Sequence, residues 1–185
     1  MPDSIQTCWW LNRYEEYLSA YADDVINDEE NKSIFDLFSK FKFKNEDYNC
    51  DLLRNEPETA WLFEKITRIT SYLNNRFFQY DIAYIENLQL HKVDKESSIV
   101  KLDRHSHFCH VDNGTVKLSF YLFLSAPEDY SGGNLECYPG PDPVTFSQNK
   151  LRLIMIPGFL LRRITPTIAG TNYILMGNLI GPQFK

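Results

Sequence analysis

Apolar side chains recur at intervals of three and four residues through the first 80 residues of the chain. This spacing places them on one side of a helix, so it predicts helices. The strongest prediction covers residues 58–77, directly after Pro57, because the first turn of a helix tolerates proline. Two further helix-like stretches cover residues 9–21 and 34–41, with loops predicted at 23–31 and 42–57.

From Tyr80 onward, short runs of β-branched and aromatic residues alternate with clusters of Gly, Pro, Asn and Asp. This alternation predicts strands, and the pair Gly132-Gly133 predicts a tight turn between two of them. The pattern favours an antiparallel sandwich or jelly roll supported by helices. The predicted strands cover residues 82–92, 98–102, 107–111, 116–125, 134–138, 144–146, 152–156, 161–165 and 172–180.

The chain has 185 residues, enough for one domain with a sizeable core. We therefore predict an α+β, mainly β fold, in which a helical support (1–80) and a β core (81–185) form the same domain. Aromatic residues make up 15% of the chain, which favours a β-rich core or an aromatic-lined cavity.

The charge pattern excludes several classes of partner. The net charge of −6 argues against non-specific nucleic-acid binding, and no apolar run is long enough to predict a membrane span. The four cysteines form no CxxC pair, so we expect reduced thiols and a cytoplasmic protein. Beyond Asp142 every charged residue is basic. These bases face either the acidic N-terminal part of the same molecule or an anionic ligand.

The segment His110-Val111-Asp112 is the first candidate for chemistry. Residues i and i+2 of a strand point to the same side, so an imidazole and a carboxylate would project together. They could supply two of the three ligands of a 2-His-1-carboxylate Fe(II) site. By itself the triplet is also compatible with a surface histidine beside a turn aspartate.

The chain from His110 onward resembles the prolyl-4-hydroxylase-like branch of the Fe(II)/2-oxoglutarate dioxygenases, in particular the PKHD-type hydroxylases. The matching segments are HVDN, KLSFYLFLSAPEDYSGGNLE and IPGFLLRRITPTIAGTNYILMGNLIGP, in the family's order. The resemblance implies a double-stranded β-helix (jelly roll) with N-terminal supporting helices. It also implies Fe(II) and 2-oxoglutarate as cofactors and hydroxylation as the activity, with His110 and Asp112 as metal ligands.

Two positions depart from the family pattern. Arg162 stands where the resemblance places the third metal ligand, a histidine, and no histidine follows His110 in the chain. Asn172 stands where it places the arginine that binds 2-oxoglutarate. A guanidinium has no lone pair for a metal, so we expect Arg162 to pair with Asp112 or with a bound anion. From Asn172 we expect weak 2-oxoglutarate binding at most.

The remaining candidate groups are weaker. His105, His107 and Cys109 alternate along a predicted strand and would share one face, either as a metal site of the zinc type or as a polar edge. Strand alternation allows only one residue of Arg162-Arg163 to face the interior, so we expect Arg163 to lie at the surface.

Three functions remain open. The chain is a pseudoenzyme that binds a ligand or an active homologous subunit, an active hydroxylase of a peptide or small molecule with an altered site, or a non-redox enzyme that has reused the cavity around Arg162. Whether the protein is an enzyme is therefore uncertain from the sequence. Iron content is the observation that discriminates best between the first two.

Overall fold

A large antiparallel sheet organises the molecule in the computed structural model, which describes residues 5–9, 17–40, 49–52, 57–94, 110–111 and 114–183. Seven strands lie side by side in the spatial order β1-β2-β10-β6-β13-β4-β3. The eighth strand, β5, pairs with the start of β6. All its strand pairs are antiparallel. The strands are β1 (Ile5–Trp9), β2 (Tyr17–Ala22), β3 (Asn49–Leu52), β4 (Tyr84–Val93), β5 (His110–Val111), β6 (Gly114–Phe123), β10 (Leu153–Pro157) and β13 (Asn172–Pro182).

Two small sheets complete the β architecture. One has the order β11-β8-β9 and the other pairs β12 with β7. Their strands are β7 (Tyr130–Gly132), β8 (Leu135–Tyr138), β9 (Val144–Thr145), β11 (Leu161–Ile164) and β12 (Thr167–Gly170). Gly132, the last residue of β7, and Gly133 both have positive φ, which glycine adopts at no steric cost. They lead from β7 to β8, which lie in different small sheets.

Helices α1 (Asp28–Lys40) and α2 (Ala60–Leu73) cover one face of the large sheet. A π-helical turn (Asn74–Phe78) follows α2, and a short 3-10 helix (Pro127–Asp129) precedes β7. Ile34 of α1 and Leu62 and Ile66 of α2 pack with Leu118 and Phe120 of β6 in one buried cluster, which we call the outer core. Helices α1 and α2 of the N-terminal part therefore pack against this face of β6.

The opposite face of the large sheet meets the small sheets. Tyr121 and Phe123 of β6 pack there with Leu135 and Cys137 of β8 and Ile164 of β11, in a second cluster that we call the inner core. A sheet folded over a second layer in this way is a jelly roll, and the predicted mainly β fold is confirmed.

The helix predicted over residues 9–21 is wrong. Its first residue ends strand β1 and residues 17–21 lie in strand β2, whereas residues 10–16 lie outside the described residues. Strand β1 pairs with β2 and β2 with β10, so both extend the large sheet. The stretch is rich in aromatic residues, which favour strands, and pairing with a buried strand decides between the two structures. Residues 49–52 form strand β3, although we predicted a loop there.

Ion pairs join the acidic and basic parts of the chain. The Arg152 guanidinium donates from Nη2 to Asp23 at 2.8 Å, and Lys150 pairs with Asp28. These contacts support the interpretation that the basic C-terminal part faces the acidic N-terminal part of the same molecule. In the part of the chain that the structure describes, no helix is long and apolar enough to cross a membrane.

Candidate functional site

Arg162 lies at the centre of the candidate site. It is the second residue of β11, where it pairs with Cys137 of β8, and its side chain is 0% exposed. Alternation along β11 turns Arg162 inward and Arg163 outward. Arg163 is partly exposed and pairs with Glu136 through Nε at 2.8 Å, so it lies at the surface as predicted and has an acidic partner there.

Neutral oxygens surround the buried guanidinium of Arg162. Nη1 donates to the carbonyls of Gly158 and Leu160, both at 3.1 Å, and Nη2 donates to the Ser119 hydroxyl at 2.8 Å. Among the described residues, its Nε–H has no hydrogen-bond partner. Because a guanidinium stays protonated in proteins, the site holds a permanent positive charge.

A chain of hydrogen bonds connects Arg162 to the surface. The Ser119 hydroxyl donates to Oδ1 of Asn178 at 2.7 Å, and Nδ2 of Asn178 donates to the exposed Glu86 at 3.3 Å. A guanidinium only donates and a carboxylate only accepts, so every link points outward from Arg162. We call Arg162, Ser119, Asn178 and Glu86 the polar relay.

Two other ionisable groups adjoin the guanidinium. Burial raises the pKa of the Tyr121 phenol, and the nearby charge of Arg162 opposes this shift. Burial likewise raises the pKa of the Cys137 thiol to about 12, against the same opposing charge. Both groups are therefore neutral at physiological pH, and the charge of Arg162 dominates this part of the inner core.

Asn172 occupies a separate buried position at the start of β13. It is 0% exposed, and its Nδ2 makes a long hydrogen bond of 3.5 Å to the carbonyl of Gly133. Its Oδ1 has no hydrogen-bond partner in the part of the chain that the structure describes. The side chain therefore presents an unsatisfied acceptor, not a cation, at the position of the expected 2-oxoglutarate arginine.

The two candidate metal ligands are only partly covered by the structure. The backbone of His110 lies in β5, where it pairs with Thr115 of β6. Asp112 lies outside the described residues, as do His105, His107 and Cys109. The assignment of His110 and Asp112 as ligands, and the pairing of Asp112 with Arg162, therefore stay predictions.

The described residues do not fit the cofactors that the fold implies. Arg162, which the resemblance places at the third ligand position, carries a guanidinium that cannot donate an electron pair to Fe(II). At the co-substrate position, the free Oδ1 of Asn172 would face the carboxylate of 2-oxoglutarate without a positive charge to bind it. Among the described side chains, no three His, Cys, Asp or Glu residues form a group that could hold a metal.

Sequence reasoning missed three members of the site: Ser119, Asn178 and Glu86. A signal for Ser119 was available, because it shares the inward face of β6 with Tyr121 by strand alternation. Asn178 and Glu86 carried no such signal, since their contacts depend on how β13 and β4 are placed beside β6.

A groove of about 330 Å³ lies elsewhere, between α2 and the start of β4. Its lining includes Thr67, Ser71, Asn75, Asp81 and Tyr84, but neither Arg162 nor Asn172. It is therefore separate from the candidate site.

Sequence comparisons relate the chain to bacterial hydroxylases. It is 32% identical over 79 residues to a PKHD-type hydroxylase of Gloeothece citriformis, a match that covers 39% of this chain and 36% of that protein. It is 36% identical over 72 residues to a PKHD-type hydroxylase of Synechococcus sp., covering 39% of this chain and 30% of that one. The matched part thus spans about a third of these relatives. No protein-family profile matches the chain.

Structure comparisons extend the likeness to nearly the whole chain. The viral collagen prolyl hydroxylase of Paramecium bursaria Chlorella virus-1 superposes with a TM-score of 0.69 at 15% identity, covering 89% of this chain and 96% of that one. An oxidoreductase of the 2OG-Fe(II) oxygenase family from Burkholderia pseudomallei gives 0.68 at 14% identity, covering 87% and 83%. The suspected superfamily is confirmed: this chain has the fold of the prolyl-4-hydroxylase-like 2-oxoglutarate/Fe(II) oxygenases and is similar in sequence to their PKHD-type members.

Proposed function

We propose that this protein is a pseudoenzyme of the oxygenase fold, which binds a peptide, a small molecule or an active homologous subunit and does not hydroxylate a substrate itself. The observation that carries the proposal is the fully buried guanidinium of Arg162 at the third ligand position. Arg162 in place of histidine removes one ligand of the facial triad and puts a fixed positive charge there.

Electrostatics supports the proposal beyond the missing ligand. At a separation of a few ångström, the repulsion between a divalent cation and a guanidinium amounts to several kcal/mol, even at the effective dielectric constant of a protein surface. The carbonyls of Gly158 and Leu160 hold Arg162 in place, so moving it away would break two buried hydrogen bonds. The site is therefore organised around Arg162.

An active hydroxylase with an altered site is the alternative, favoured by the retention of both His110 and Asp112 in the sequence. Such an enzyme would need a third iron ligand from water, from substrate or from another chain. It would also need another group to bind 2-oxoglutarate, because Asn172 is neutral.

Metal analysis with a turnover assay tests the two functions. We expect purified protein, loaded with Fe(II) under anaerobic conditions and desalted, to retain far less than stoichiometric iron. We also expect no 2-oxoglutarate-dependent release of CO2 above a no-protein control. Stoichiometric iron with ordinary turnover would establish the active hydroxylase.

Repair of the two divergent positions gives a matched positive control. Arg162→His supplies a neutral imidazole, removes the competing charge and is expected to gain iron binding. Adding Asn172→Arg restores a charge-assisted contact to 2-oxoglutarate and is expected to raise its affinity by about ten- to a hundredfold. Titration calorimetry measures both gains. Failure of the double variant to bind either ligand would contradict the idea that these two positions alone account for the loss.

A further inference from the structure

The groove between α2 and β4 lies beside an irregular end of α2. The helix widens into the π-helical turn at Asn74–Phe78, and Gln79 then adopts a φ of 56°, in the left-handed region that few residues other than glycine occupy. The chain continues from there to β4, and an opening of about 330 Å³ lies between the two elements. Because π-helical turns and left-handed residues of this kind occur often at functional sites, the groove is a candidate ligand site.

Asn74 holds the turn in a fixed shape. Its side chain is buried, Nδ2 donates to the carbonyl of Tyr80 at 2.8 Å, and Oδ1 accepts from the backbone N–H of Tyr80 at 3.1 Å. The carbonyl of Asn74 also accepts from the N–H of Gln79 at 2.7 Å. These bonds join the end of the helix to the segment that leads into β4. The groove is therefore formed before a ligand arrives, which lowers the entropic cost of binding.

The helix wall of the groove carries a row of neutral polar groups. Thr67, Ser71 and Asn75 follow one another at intervals of four residues, a spacing that places neighbours on one side of a helix, and we call them the polar row. Hydroxyls and amides both donate and accept hydrogen bonds. On the β4 side the groove is lined by Tyr84, whose side chain is exposed. This combination suits a ligand with hydroxyls along one edge and C–H groups on one face.

Among the described residues that line the groove, Asp81 alone is charged. The buried side chain of Lys117 passes beside it, since a Cβ added at Gly181 would touch both the Asp81 carbonyl and Cγ of Lys117. Burial lowers the pKa of the Lys117 amine, and the charge of Asp81 opposes this shift. The lining thus offers no cation to an anionic ligand, and its one carboxylate is partly offset. A neutral polar ligand fits this charge pattern best.

We propose that the groove binds a pyranose sugar unit, with the C–H face of the sugar on the Tyr84 ring and its hydroxyls on the polar row and Asp81. Sugar hydroxyls both donate and accept, so they match hydroxyl, amide and carboxylate partners alike. The volume lies at the small end of the range of about 300–1,000 Å³ for small-molecule sites, which suits one or two rings. The inference goes beyond the proposed function and does not rest on it, because neither Arg162 nor Asn172 lines the groove.

Amide chemical-shift mapping of the wild-type protein by nuclear magnetic resonance tests the site. The probes are the methyl α-glycosides of glucose, galactose, mannose and N-acetylglucosamine, which share the ring and differ in the arrangement of their polar groups. We expect at least one of them to displace the resonances of residues 67–75 and 80–85 in a saturable manner and to leave those of residues 160–164 in place. If none of the four does so, the proposal is wrong.

Charged forms of the sugar that binds test the choice of a neutral ligand. Its uronic acid adds a carboxylate to the same ring, and its 2-amino form adds an ammonium group. We expect the neutral glycoside to bind at least about threefold more tightly than either charged form. Binding of a charged form alone would mean that recognition rests on charge, and it would overturn the neutral-sugar assignment.

The free sugar in place of its methyl glycoside identifies the source of the ligand. Tighter binding of the free sugar identifies a free monosaccharide, because the glycoside blocks only the anomeric hydroxyl. Equal or tighter binding of the glycoside identifies a sugar unit linked to another group. Either result supports a pyranose site.

Variants of the aromatic wall show whether the sugar lies in the groove. Tyr84→Ala removes the ring, so we expect the affinity for the glycoside to fall by at least about threefold, whereas Tyr84→Phe keeps the ring and most of the affinity. Phe159→Ala is the matched control, because Phe159 is also an exposed aromatic residue but lies outside the groove. Equal affinity in wild type, Tyr84→Ala and Phe159→Ala would place the sugar elsewhere and overturn the proposal.

Discussion

The two faces of strand β6 show how differently one strand can be used. Leu118, Phe120 and Leu122 point into the outer core, a cluster of buried apolar side chains. Ser119 and Tyr121 point to the other side, where the polar relay and the inner core meet. The outer face therefore packs through apolar side chains, whereas the inner face combines packing with a buried charge.

Truncation in the outer core should give the largest effect. Phe120 is 0% exposed, so Phe120→Ala removes a fully buried ring and is expected to lower the free energy of unfolding by about 3–5 kcal/mol. Urea denaturation measures the change. Ile168→Ala is the control, because Ile168 is 72% exposed and its loss should cost less than about 0.5 kcal/mol.

The same variant sharpens the comparison between the two faces. If the outer core only supports the site, the Arg162 Nε–H resonance of folded Phe120→Ala should keep its wild-type chemical shift, because Arg162 keeps its hydrogen bonds to Gly158, Leu160 and Ser119. A displaced resonance in a fully folded variant would mean that the two faces are coupled through β6.

Two buried serines allow a matched test of the relay. Ser119→Ala leaves Nη2 of Arg162 without its acceptor and Asn178 without its donor, so we expect a loss of about 1.5–3 kcal/mol, the range for hydrogen bonds to charged groups. The Ser19 hydroxyl is equally buried but has no hydrogen-bond partner among the residues that the structure describes, so Ser19→Ala should be neutral or stabilising. If both variants lose the same free energy of unfolding in urea denaturation, the hydrogen bonds of the polar relay add nothing to stability beyond packing.

Alkaline pH should lower the free energy of unfolding gradually, through ionisation in the inner core. The folded Cys137 has a pKa of about 12 against an ordinary value of 9.0, so above pH 9 the unfolded chain loses this proton before the folded one does. Its contribution to stability is therefore complete below pH 9 and declines as the pH rises from 9 towards 12, by at most about 1.4 kcal/mol per unit.

Replacement of the thiol tests the source of this alkaline slope. Cys137→Ala should flatten the decline, while Tyr121 and Tyr130, whose pKa values are also raised by burial, keep part of it. Stability curves from pH 8 to about 11 measure the two slopes. An identical slope in both proteins would show that Cys137 ionises normally in the folded state.

The sequence predicted what depends on local pattern and motif order. The α2 helix, most core strands and the inward direction of Arg162 follow from periodicity and strand alternation. The relay did not follow, because Asn178 and Glu86 are 92 positions apart and meet only when β13 pairs beside β4. Strands β1 and β2 were missed because β2 pairs with β10 and β1 with β2, contacts that periodicity does not register.

The alternation along β6 also has a consequence for folding. A slip of β6 by one residue against β10 and β13 would turn Phe120 towards the small sheets and Ser119 towards the helices. That misfolded chain would lose the packing of the outer core. At the same time, Arg162 would lose the Ser119 hydroxyl that accepts its hydrogen bond. The correct register is thus enforced from both sides of the strand, so we expect mispaired intermediates to be short-lived while both cores can form.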